Sequence, residues 1–198
     1  MKRAIQFLFS LALAATVTAC ASPPVPKEQY FRLVATPATE TMAHPLSGVL
    51  EASPLGADGV TGERPLLFTE NGGMKLGQRS YALWTELPTT MLRDQFVTYL
   101  RSAGAAEQIV VSELRIGAAY RIQGEIKRLE QSAGDKHDTG VIELELSVID
   151  TSDDHLVLSK VYRSEQPAAD HSIDGAVAAL NAGLQDILKR FAADIDAR

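Results

Sequence analysis

The sequence holds a single cysteine, Cys20, so no disulfide can close within one chain, and a buried core has to supply the stability. Positive charge is also scarce. Lys+Arg number 19 against 25 Asp+Glu, a net charge of −6; without Lys2 and Arg3, 17 basic residues face the same 25, giving −8. That balance implies no basic surface of the kind a nucleic-acid binder needs. Catalytic spacing is missing as well. There is no Gly-x-x-x-x-Gly-Lys loop to cradle phosphates, no Gly-x-Ser-x-Gly elbow, no Ser-x-x-Lys and no His-Glu-x-x-His. His44, His137, His155 and His171 stand apart, without the spacing that puts two metal ligands on one helix face. Asp150, Asp153, Asp154 and His155 lack the central glycine and terminal glutamate of an EF-hand loop and read as turn chemistry between strands. No catalytic residue, metal site or cofactor is expected.

Long apolar runs are few too. The longest, Ala4 to Ala15, is short of the roughly 20 residues that cross about 30 Å of hydrocarbon. Preceded by Met1-Lys2-Arg3 and followed by Val17-Thr18-Ala19-Cys20, it reads as a secretory signal over residues 1–19 that ends in a lipobox-like site. A buried structural role for Cys20 is the alternative, but the Ala-Ser-Pro-Pro-Val-Pro that follows cannot build a core. Cys20 is therefore the expected lipidation site. Several acyl chains, at roughly 0.8 kcal/mol per buried methylene, give a permanent anchor where a single chain binds reversibly. Residues 20–27 form the lipidated head and a proline-stiffened tether.

Residues 28–198 then suit one domain. Gln29–Ala35 and Leu46–Ala52 alternate as strands, and Gly56–Gly62 reads as a turn. Arg64–Thr69 and Met74–Arg79 flank Asn71-Gly72-Gly73, the strongest hairpin-turn signal in the chain. A helix runs from Pro88 towards Gly104, with Leu92, Phe96, Tyr99, Leu100 and Ala103 on one face. Ile109–Val111 is a short apolar run. Tyr120–Leu129, Val141–Ile149 and Leu156–Arg163 form a meander with one solvated face, on which Arg121, Glu125, Arg163 and Glu165 read as cross-strand pairs. The last helix, from about Ile173 to Ile195, carries Ile173, Val177, Leu180, Leu184, Ile187, Leu188, Phe191 and Ile195 as its stripe. Its polar face mixes signs, which favours core packing over a membrane-surface helix. The expected fold is α+β, one largely antiparallel or mixed sheet with two main helices packed on it.

One cluster stands out, Tyr81-Ala-Leu-Trp84-Thr-Glu-Leu-Pro88, which holds the only tryptophan. Taken with the lipobox, a Tyr-Phe-Arg-Leu first strand, Arg64 opening a strand and Leu92 in the helix that follows, it resembles the auxiliary lipoproteins of ABC-type transport systems, the paraquat-inducible protein C-like family. The resemblance implies a partner of a mammalian-cell-entry (MCE) domain protein, which with an ABC permease and ATPase moves phospholipid or other apolar molecules across the periplasm. Ala21 after the cysteine, in place of an inner-membrane retention aspartate, implies the periplasmic face of the outer membrane. The chain is then a lipid-anchored adaptor and not an enzyme, expected to form a homo-oligomer matching a ring-shaped conduit. Tyr81, Trp84 and Pro88 are the candidate partner-binding residues, with a packed aromatic corner as the alternative role for Tyr81 and Trp84. An envelope hydrolase and a structural lipoprotein regulating cell-wall synthesis are the competing functions.

Overall fold

A strand of thirteen residues, Tyr120–Ser132, is the spine of the molecule. It is β7 in the computed structural model, which describes residues 26–70 and 73–198. The signal segment, Cys20, most of the tether, and Asn71 and Gly72 of the expected hairpin turn lie outside the described residues. The other strands are β1 (Gln29–Phe31), β2 (Leu46–Ala52), β3 (Gly56–Ala57), β4 (Pro65–Glu70), β5 (Lys75–Trp84), β6 (Ala106–Val111), β8 (Thr139–Asp150) and β9 (His155–Pro167). Helix α1 spans Pro88–Ser102 and α2 spans Ile173–Asp196.

One edge of β7 is taken along its length by antiparallel β8, which carries β9 in turn. The other edge is shared by three short parallel partners: β2 at 120–122, β3 at 125–126 and β4 at 130–132. β6 extends the sheet from β2, and β5 then β1 extend it from β4. The result is a mixed, curled nine-stranded sheet with a three-strand trunk and two wings, an α+β fold. Register in β7 shifts between Ile126 and Arg128. A side-chain period of two would send Leu129 outward after Ile122 and Ile126; the extra residue at Lys127 returns it to the core, and all three are buried.

The α2 stripe packs on β8 and β9, and α1 on β6 and β2. Phe191 joins them, edge-on to Phe96 of α1 at 5.5 Å and to Tyr162 of β9 at 5.7 Å. Gly140 of β8 lets α2 approach, since a Cβ there would lie 2.7 Å from the Leu180 nitrogen. Pro88 begins α1 at its first position, and Gly104, at φ +64°, closes it, with the Ala105 amide donating to the Leu100 carbonyl. Among the described residues no helix is long and apolar enough to cross a membrane.

The expected first strand stops early. Beyond Phe31 the chain leaves the sheet and runs extended along the two helices, and its amides alternate between them. Leu33 and Ala35 donate to Met91 Sδ (3.5 Å) and Gln95 (2.8 Å) of α1, while Val34 and Thr36 donate to Asn181 (2.7 Å) and Gln185 (2.9 Å) of α2. Two extended residues advance about 6.6 Å and four helical residues about 6 Å, so every second amide meets the next turn of the same helix. Ala38 reaches Ser102 and His44 reaches Asp196, and the strap ends where β2 begins.

Candidate functional site

Tyr81 and Trp84 both lie on β5, but residues three apart on a strand face opposite sides. Trp84 points inward and is 1% exposed, while Tyr81 points out and is 45% exposed. The corner around Trp84 is tied by backbone. Its N–H donates to the Arg64 carbonyl at 2.7 Å, Arg64 Nε donates back to the Trp84 carbonyl at 3.0 Å, and the Thr85 amide reaches Phe31 at 2.8 Å. Pro88, the third expected partner residue, is buried at the start of α1. Trp84 and Pro88 are therefore interior, and Tyr81 alone of the three presents its side chain to solvent.

Tyr81 has company on that wing. Tyr30, 53% exposed, is aligned with Leu83 across the β1/β5 pair, and Leu76 and Leu87 are also exposed. Arg64 lies over the Tyr30 ring at 5.4 Å. The Tyr30 hydroxyl donates to Glu28, and that bond raises its pKa above the ordinary phenol value.

Beside Tyr81 is a depression of about 390 Å³ walled by Gln29, Phe68, Gln78, Arg79 and Ile173. Behind it runs a chain of polar contacts that the sequence did not announce. Arg79 Nη2 donates to Gln131 at 3.1 Å, Gln131 donates to Asp138, and His171 Nδ1 lies 2.8 Å from the other Asp138 oxygen. Asp138 is 4% exposed. Burial pushes its pKa up, but hydrogen bonds from His171, Gln131 and the Gly134 amide outweigh that and hold it below the ordinary aspartate value. These residues come from four separate segments, so no spacing could have paired them.

The hydroxyl next to His171, that of Ser172, donates to Asp170 and accepts from the Gly175 amide as the cap of α2. It is not placed as a nucleophile. Asp150 accepts from Ser152, Asp153 accepts from the His155 amide, and Asp154 has φ +56°, the turn expected between β8 and β9. Among the described residues no three His, Cys, Asp or Glu side chains cluster as a metal site would require. The solvated face of the trunk carries ion pairs: Arg121 with Glu51 at 2.9 Å, Arg163 with Glu143 at 3.1 Å, and Lys127 with Glu125 at 2.7 Å. Arg121 and Arg163 pair across strands as expected. Glu125 and Glu165 pair along their own strands, with Lys127 and Arg163.

The fold has known counterparts. A protein from Xanthomonas campestris, XCC0632 of the DUF330 family, superposes with a TM-score of 0.73 over 85% of this chain and 96% of its own, at 18% identity. PelC from Paraburkholderia phytofirmans, solved as a dodecamer, gives 0.53 over 79% of this chain and 93% of its own, at 13% identity. No curated protein sequence matches the chain. The model of the ABC-type transport auxiliary lipoprotein component family matches residues 62–192, which include the Tyr81–Pro88 corner, the trunk and most of α2. With more than half of its length matched, the chain belongs to the ABC-type transport auxiliary lipoprotein family.

Proposed function

We propose that the protein is an accessory lipoprotein held by Cys20 at the periplasmic face of the outer membrane, acting as an adaptor and not as a catalyst. Its partner is an MCE-domain protein and, through it, an ABC permease and ATPase that move lipid or another apolar solute between membranes. The observation that carries this reading is the family match over residues 62–192; the basic, apolar and Cys20 order of the first twenty residues supports the anchor. The exposed wing around Tyr30, Tyr81 and Leu87 suits a partner surface, since a group of exposed aromatic and aliphatic side chains is what interfaces bury. Trp84 and Pro88 act there by positioning Tyr81. A homo-oligomer would match a ring-shaped conduit, and the PelC dodecamer is a precedent in a protein of similar fold.

Two experiments test this. Mild-detergent purification from membranes with the full-length chain as bait should recover the MCE-domain protein, and recovery of no transporter component refutes the adaptor role. Palmitate labelling should vanish in Cys20→Ala, and label that persists there refutes the anchor.

A further inference from the structure

Among the described residues three arginines are partly or fully buried: Arg79, Arg93 and Arg128. Arg93 is paired with Asp94 at 2.6 Å and with Glu113 at 2.8 Å, and Arg128 is paired with Glu130. Arg79 has no carboxylate within 4 Å among the described residues. Its single protein acceptor is the Gln131 carbonyl, and its Nε is the one buried side-chain polar atom, among the described residues, with no hydrogen-bond partner. A shielded charge left short of acceptors is costly, and a native orphan of this kind needs a reason.

A ligand cannot meet Nε, which has no accessible surface, but the outer end of the side chain is open. Arg79 does not point into the core; it lines the depression beside Tyr81, and no Asp or Glu lines that depression with it. Its guanidinium lies 4.2 Å from the centroid of the Phe68 ring, which fixes the plane of the fork. Gln131, held in turn by buried Asp138, fixes Nη2; Nε is shielded from solvent, and Nη1 is left with no acceptor among the described residues. Phe68, Tyr81 and Ile173 contribute apolar and aromatic surface beside the cation, and Gln78 contributes an amide.

We propose that this depression binds an oxyanion, a phosphate or carboxylate, borne by a small molecule with a short apolar substituent. Arg79 receives the oxygens, since charge-assisted contacts from a planar fork are the strong ones. The substituent lies against Phe68, Tyr81 and Ile173. At about 390 Å³ the space falls within the range of small-molecule pockets. The site shares Tyr81 with the partner surface but does not depend on the adaptor role: a chain that recovers no transporter component would still bind the anion.

The test is calorimetric titration of the full-length chain in a zwitterionic detergent with butyl phosphate, butyrate and inorganic phosphate. Butyl phosphate or butyrate should bind at least about tenfold more tightly than inorganic phosphate. Arg79→Gln should weaken that binding by about tenfold or more, whereas Arg79→Lys should keep part of it, because the charge remains and the fork is lost. Exposed Arg32→Gln should bind as the parent does. Melting curves of each variant without ligand separate lost binding from lost folding; if Arg79→Gln does not fold, competition by rising salt on the parent chain takes its place. Absence of binding by the parent overturns the proposal, as does binding that Arg79→Gln or salt leaves unchanged. Tighter binding of an acidic peptide than of butyl phosphate also overturns it, by assigning Arg79 to a protein partner.

Discussion

Gln185→Ala should release the strap from α2 without disturbing the core. Gln185 accepts from the Thr36 amide at 2.9 Å and donates back to the Thr36 carbonyl at 3.2 Å, so the substitution removes both bonds at once. Each is worth about 0.5 to 1.5 kcal/mol net, and because Thr36 is exposed, water takes over part of the role, leaving about 1 to 2 kcal/mol. That is a factor of about 5 to 30 in a local opening equilibrium. Native-state hydrogen exchange reads it directly: the Thr36 amide should exchange about 5- to 30-fold faster, while that of Leu188, inside α2, keeps its rate. Ala35, whose amide donates to Gln95 of α1, should change less than Thr36. Asn181→Ala should do the same to Val34, since it removes the one acceptor of that amide. An unchanged Thr36 rate refutes the strap, and uniform acceleration across the chain shows that the strap and the core open as one unit.

Trp84→Ala should cost about 3 to 5 kcal/mol of stability by denaturant titration, whereas Tyr81→Ala should cost under about 1 kcal/mol and act on partner recovery instead. Equal costs would place both rings in the core. Leu184→Ala, at the centre of the α2 stripe, should cost about 2 to 5 kcal/mol, and a loss below about 0.5 kcal/mol would put that face outside. Asp138 titrates below the ordinary carboxylate value in the folded chain, so its contribution is complete above the unfolded value of about 3.9 and is lost as pH falls through the folded value. Stability of Asp138→Asn should therefore fall less steeply than that of the parent below about pH 4, and parallel acid profiles would show that the His171 and Gln131 bonds leave the Asp138 titration unperturbed.

What was legible in the sequence is what neighbours in the chain decide. The α2 stripe from Val177 to Ile195 is buried as its 3.6-residue period requires, and the three trunk strands appear where alternation placed them, though each runs further than the apolar residues alone indicate. Helix α1 begins at Pro88 and ends before Gly104 because both residues act locally. Leu33 and Val34 defeated the same logic. Their alternation suggests a strand, but an extended backbone needs a line of acceptors, not necessarily another strand, and two polar residues one turn apart on α2 provide one. Asn181 and Gln185 look like an ordinary solvated face of an amphipathic helix until the strap is laid over them.

The candidate site divides along the same line. The expected strand ends at Arg79, whereas β5 runs on to Trp84, and it is this extension that sets Tyr81 and Trp84 on opposite faces, with Trp84 buried at the centre of the corner. Arg79 carries no local signal. Nothing in its neighbourhood distinguishes it from Arg121 or Arg163, which sit on alternating strands and find carboxylates on adjacent ones. The difference arises from the sheet's branching: β4 and β5 leave the trunk as a wing, so the residue facing Arg79 is Gln131 of β7, and Asp138 stands one residue further back, occupied by Gln131 and His171. A charge acquires its partners from strand order, and strand order here is set by three short strands sharing one edge of β7.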